Sequence, residues 1–76
     1  MSIYPRVSIE FCTKCRWNFR AVWYLQELLS TFGNDLGEVA LIPRSDGIFI
    51  VKLAVSENTQ DIVLWNRKER GGFPGE

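Results

Sequence analysis

Two cysteines three positions apart, in Cys12-Thr13-Lys14-Cys15, are the residues of this sequence best suited to chemistry. A Cys-x-x-Cys spacing brings two sulfurs within bonding reach across one turn of chain. One thiolate attacks a partner's disulfide and the second cysteine resolves the mixed disulfide. Thiolate is the reactive form, and nearby cations or the free N–H groups at a helix entrance favour it over thiol. Lys14 and Arg16 supply such charge in the sequence. The same pair has blander readings. Free cysteines are often buried and inert. Metal ligation is the other, but the chain has two cysteines and no histidine, so a closed zinc site needs carboxylates or a second chain. Neither a metal nor a bound cofactor is expected.

Composition narrows the setting. At 76 residues the chain is read as one domain, 1–76. Its 46% apolar and 24% charged content is that of an ordinary folded domain. Nine basic and nine acidic residues cancel, which argues against nucleic acid or an anionic membrane as partner. The first residues lack the apolar core of a signal peptide, and no apolar run approaches the ~20 residues that span a bilayer. The expected compartment is the cytoplasm, where thiols are kept reduced and a cysteine pair works rather than staples.

The elements that must position the pair follow from periodicity. Val7, Ile9 and Phe11 alternate with Arg6, Ser8 and Glu10, the pattern of a strand over 6–11 with one buried face. Residues 15–32 contain neither Gly nor Pro and change to helical spacing, with Trp17, Ala21, Leu25, Leu28 and Phe32 on one stripe that Val22 and Leu29 widen. Gly33 suits the positive-φ position after such a helix. A second strand covers 38–42 with Pro43 ending it, and Arg44-Ser45-Asp46-Gly47 is a turn. A third strand over 48–54 is apolar on both faces and therefore central. A fourth covers 61–66, before a charged stretch and Gly71-Gly72-Phe73-Pro74.

The class is thus α/β, in the order β-α-β-β-β: a mixed four-stranded sheet with one main helix. The strand–helix–strand unit makes its two strands parallel, and short turns make the third antiparallel to its sequence neighbours. Cys12 then lies where the first strand meets the helix. Exposure at a helix entrance favours Cys12 as the attacking thiol, with Cys15 deeper and resolving. One helix covers one sheet face. Phe49, Val51 and Leu53 lie opposite Ile48 and Ile50, and Val63 and Trp65 opposite Ile62 and Leu64, so one set is left bare. A homodimer through that face is the expected remedy.

Other marked residues have two readings each. Trp17 is read as core. Trp23 and Tyr24 cannot both face the core with Leu25, so one faces outward. Arg67, Lys68 and Arg70 with Arg44 are either a solvated face or an anion site for a carboxylate such as that of glutathione. Pro43 either only ends a strand or belongs to a loop packed beside the cysteines.

These motifs together resemble the selenoprotein W-like family, also called the Rdx family. The matching pieces are Val7-Ser8-Ile9-Glu10-Phe11-Cys12-Thr13-Lys14-Cys15, Val39-Ala40-Leu41-Ile42-Pro43, Gly47-Ile48-Phe49-Ile50-Val51, Leu64-Trp65-Asn66-Arg67-Lys68 and Gly71-Gly72-Phe73-Pro74. The resemblance implies a thioredoxin-like fold and a thiol-based redox role, with glutathione as electron donor and protein thiols or disulfides as partners. It implies that Phe73 packs near the active-site end. Selenoprotein members carry selenocysteine at the position of Cys15, which makes Cys15 the attacking residue by analogy, against the helix-entrance argument. Members usually continue after Phe-Pro into another helix, whereas this sequence ends at Gly75-Glu76. The leading function is a thiol–disulfide redox protein using Cys12 and Cys15, supported by Thr13, Lys14, Arg16, Pro43 and Phe73. The alternative is a redox-sensing adaptor that binds partners through an apolar surface.

Overall fold

The computed structural model describes residues 3–75. Its elements are β1 (Arg6–Cys12), α1 (Asn18–Phe32), β2 (Glu38–Arg44), β3 (Phe49–Ala54), β4 (Ile62–Asn66) and a single-turn α2 (Arg67–Arg70). The four strands form one mixed sheet in the order β2-β1-β3-β4. β1 runs parallel to β2 and antiparallel to β3, and β4 is antiparallel to β3. The order of elements is the one expected from periodicity, but the pairing adds a point. After β2 the chain passes to the far side of β1, so β3 pairs with β1 and not with its sequence neighbour. β1 and β3 are the central strands.

Central placement explains why β1 is buried on both faces although it reads as half-buried. Val7, Ile9 and Phe11 join Phe49, Val51 and Ala21 in the core under α1. On the other face Ser8 and Glu10 are also buried. Glu10 tolerates this because each carboxylate oxygen has a cation. Arg44 reaches one at 2.6 Å from β2, and Lys52 reaches the other at 2.7 Å from β3. A buried carboxylate stripped of such partners costs about 3–5 kcal/mol, so these cross-strand pairs are a condition of the burial.

α1 presents Ala21, Tyr24 and Leu28 to the sheet, with Trp17 just before its first residue packed beside them, while Trp23 and Phe19 are exposed. Of the Trp23–Tyr24 pair, Tyr24 is therefore the core residue. The helix is shorter at its start than its apolar stripe. Arg16 has φ 59°, a left-handed conformation that no helix continues through, and α1 begins at Asn18. Gly33 does not take the positive φ expected of it. It stays right-handed at φ −54° and donates to the Leu29 carbonyl, extending the last turn.

One further boundary and one register differ from the expectation. β2 continues through Pro43 to Arg44, which an edge strand permits because its outer side needs no N–H donor. A register shift between Val51 and Lys52 changes the phase of β4. Trp65 consequently pairs with Val51 on the helix side, and Val63 pairs with Lys52 on the opposite side. That opposite face is thus not a continuous apolar surface. It interleaves Ile42, Ile50 and Val63 with Ser8, Glu10 and Lys52. No helix among the described residues is long and apolar enough to cross a membrane.

Candidate functional site

Strand β1 ends in Cys12, so the first sulfur is delivered by the sheet rather than by a helix. The Cys12 amide donates to the Ile48 carbonyl at 2.9 Å, which extends the β1–β3 pairing to the cysteine itself. Thr13 then fastens the chain to the end of β2. Its amide and its hydroxyl both donate to the Arg44 carbonyl, at 2.9 and 3.1 Å. The Arg16 amide closes a turn onto the Thr13 carbonyl, and the Trp17 amide returns to the Cys12 carbonyl. The motif is therefore a tight turn between β1 and α1, and the pair does not sit in the first helical turn. The left-handed Arg16 separates it from the helix.

Within that turn the two thiols are free cysteines, and the Cys15 S–H donates to Cys12 Sγ at 2.9 Å. Cys12 is 1% exposed, whereas Cys15 is at the surface. This reverses the order expected from a helix entrance. The reason is the strand: a residue still paired in a central strand is covered, and the next residues rise out of the sheet.

Electrostatics divide the pair in the same sense. The hydrogen bond from Cys15 holds the Cys12 pKa below the ordinary thiol value; burial opposes this, and the N–H groups of Gly47, Cys15 and Lys14 add to the lowering. Cys15 is pushed above that value, first by donating to Cys12, then by burial and by the charge on Cys12. Among the described residues Arg67 is the one cation that counters that rise; Lys14 and Arg16, both exposed, make no such contribution. Gly47 reaches its position with φ 72°, in the turn before β3, where a side chain would be strained.

Pro43 sits beside this turn, opposite Phe11 in the β1–β2 register, and with Thr13, Arg44, Ser45 and Asp46 it lines a shallow cavity of about 450 Å³. The peptide bond before it is trans, the cis bond among the described residues being Tyr4–Pro5. Phe73 packs edge-on against Trp17 at 5.1 Å and Phe49 at 5.2 Å. The Trp65 indole donates to the Gly72 carbonyl at 2.8 Å and the Tyr24 hydroxyl donates to the Pro74 carbonyl, so the Gly-Gly-Phe-Pro segment is fastened over the start of α1.

The four-cation cluster considered from sequence does not assemble. Arg44 belongs to one edge strand and is paired with Glu10 and Asp46. Arg67 follows the other edge strand and stacks over Trp17 at 4.7 Å. The roles of Gly47 and Arg67 at the sulfurs were not marked in the sequence. A Gly in the turn before a central strand is a signal for the first, and nothing local signals the second. Among the described residues no group of three His, Cys, Asp or Glu side chains converges to hold a metal.

The shared proton has a direct consequence in solution. We expect thiolate absorbance of the reduced protein to rise in two steps, one below and one above the ordinary thiol pKa. Replacing Cys15 with Ala removes the S–H donor, so the remaining Cys12 step moves up. A wild-type protein titrating in one step at the ordinary value, unchanged in the variant, contradicts the hydrogen-bonded pair.

The profile of the Rdx family matches residues 6–76. Comparison with curated proteins gives no match. Among solved structures, a crystal structure of a Bordetella parapertussis protein is 49% identical, with a TM-score of 0.78, the match covering 91% of this chain and 80% of that one. A selenoprotein W-related protein from Vibrio cholerae is 35% identical with a TM-score of 0.76, over 91% of this chain and 79% of that one. Sequence, architecture and the close thiol pair agree: the chain belongs to the Rdx family, with its thioredoxin-like fold and a redox-related function.

Proposed function

We propose that the protein exchanges thiols and disulfides, with exposed Cys15 attacking and buried Cys12 resolving. The observation that carries this reading is the pair itself: sulfurs 2.9 Å apart, one at the surface and one beneath it. In the resting dithiol Cys12 takes the first negative charge and Cys15 keeps the proton. As Cys15 attacks one sulfur of a partner disulfide, its proton crosses to Cys12. A Cys15–partner disulfide forms and the partner's other sulfur leaves as thiolate. Cys12 then gives up its proton to the departed partner thiolate and attacks the Cys15 sulfur, forming the internal disulfide and releasing the second partner sulfur as thiolate. The protein loses two electrons and the partner gains two.

The pKa order suits both directions. The thiolate of higher pKa is intrinsically the better nucleophile, and the thiol of lower pKa leaves faster. Cys15 is therefore the stronger nucleophile once its proton has crossed to Cys12, and when glutathione reduces the internal disulfide at the exposed Cys15 sulfur, Cys12 is the sulfur expelled. Thr13 and Pro43 brace the turn against β2, and Phe73 braces its exit through Trp17.

A turnover assay with glutathione as electron donor tests this. Either single serine variant, Cys12→Ser or Cys15→Ser, should lose disulfide reduction down to background. Near-wild-type turnover in either variant defeats the two-thiol mechanism. The adaptor reading draws on Phe19 and Trp23, 73% and 55% exposed on α1. It gains if the wild type reduces no disulfide yet binds a protein partner that both serine variants still bind.

We further propose a homodimer through the sheet face opposite α1; the face is not the bare apolar one that the face count assumed, and Ile42, Ile50 and Val63 would meet their counterparts there among Ser8, Glu10 and Lys52. Size exclusion with light scattering at high micromolar concentration should return twice the monomer mass; a strict monomer rules the dimer out.

A further inference from the structure

Topology brings one more cation to the sulfurs. β4 is antiparallel to β3, which is antiparallel to β1, so β1 and β4 end at the same edge of the sheet. Cys12 is the last residue of β1, and Arg67 follows the last residue of β4. The Arg67 guanidinium carbon lies 4.7 Å from the Trp17 ring centroid and 5.9 Å from that of Phe73. Its Nε is buried without a hydrogen-bond partner. Arg6, Arg44 and Lys52 each pair with a carboxylate. Among the described residues none pairs with Arg67.

A guanidinium laid against an aromatic ring is held in one plane, and its outer N–H groups keep the fork that matches a carboxylate. Trp17 is two residues beyond exposed Cys15, and the Arg67 charge is felt at the Cys15 sulfur. A molecule whose sulfur meets Cys15 therefore has this cation beside it.

We propose that Arg67 binds a carboxylate of the disulfide that Cys15 attacks, so that the site selects disulfides carrying negative charge a few bonds from sulfur. This rests on the exchange reading above and adds the substrate class. The covalent step is unchanged: the Cys15 thiolate forms a bond to one partner sulfur, the partner's disulfide breaks, and the carboxylate-bearing thiolate leaves beside Arg67. Cys12 then completes the two-electron oxidation of the pair and releases the second carboxylate-bearing thiol.

The test uses three small alkyl disulfides: dithiodipropionate, which is anionic; hydroxyethyl disulfide, which is neutral; and cystamine, which is cationic. The ratio of anionic to cationic rate constants at one pH cancels the thiolate fraction of Cys15, so it reports contact with the partner and not nucleophile activation. Wild type should favour the anion, and Arg67→Gln should lower the ratio about ten-fold, the combined loss of one attraction and one repulsion at roughly 4 Å in water. Arg67→Lys should keep most of the preference, and Lys68→Gln, a neighbouring charge, should keep all of it. Should Arg67→Gln fail to fold, the wild-type ratio itself must fall as salt rises. A parallel pair of peptide disulfides, flanked by Asp or by Lys, separates the sources: preference in the small series alone places the carboxylate on a small molecule, and preference in both extends it to acidic peptides. An equal ratio in wild type and Arg67→Gln, or an equal loss in Lys68→Gln, overturns the role of Arg67 and leaves the exchange reading standing. No reaction with any of the three overturns both.

Discussion

The pairing of β1 on both sides is the constraint on which the sulfur end depends. Parallel pairing sets Cys12 opposite Arg44, and antiparallel pairing joins the Cys12 amide to the Ile48 carbonyl. Those contacts place the turn that follows, because Thr13 can then bond the Arg44 carbonyl twice. The same pairing buries Glu10, and the two cations that neutralise it come from the two flanking strands. Arg44 thus serves both purposes: its side chain closes the charge on one face, and its backbone holds the turn of the thiol pair.

From that constraint comes the asymmetry of the two sulfurs. A thiol ending a central strand is covered, and a thiol three residues later in a tight turn is not. The S–H···S contact converts a difference in exposure into a difference in charge, with backbone N–H groups from Lys14, Cys15 and Gly47 gathered on the covered sulfur. Backbone donors cost no reorganisation when charge arrives, so the covered sulfur is a good place for negative charge both before attack and on leaving. The aromatic group of Trp17, Phe49 and Phe73 backs this arrangement and gives Arg67 a plane to rest on.

Much of this was legible in the sequence, and the failures have physical causes. Alternation at Val7, Ile9 and Phe11 and the run of residues without Gly or Pro marked the strand and the helix. The Cys-x-x-Cys spacing marked the site. The helix start was misplaced because Trp17 belongs to the apolar stripe, while the residue that stops the helix, Arg16, has no propensity that announces φ 59°. That error carried the exposure order of the cysteines with it. β3 was legible as central from its two apolar faces, but not as the partner of β1, since pairing across a sheet leaves no local trace. The phase of β4 was lost to a one-residue bulge, which flips every side chain beyond it. Arg67 looked like one member of a solvated charge run; only the shared direction of β1 and β4 brings it to the sulfurs.

Intact-mass analysis of the two single serine variants after brief exposure to a small disulfide tests the order of attack most directly. With Cys12 replaced, exposed Cys15 should capture half of the disulfide and hold it as a stable adduct, because the resolving thiol is gone. With Cys15 replaced, buried Cys12 should stay unmodified over the same interval. An adduct that forms faster on Cys12 than on Cys15 contradicts the account.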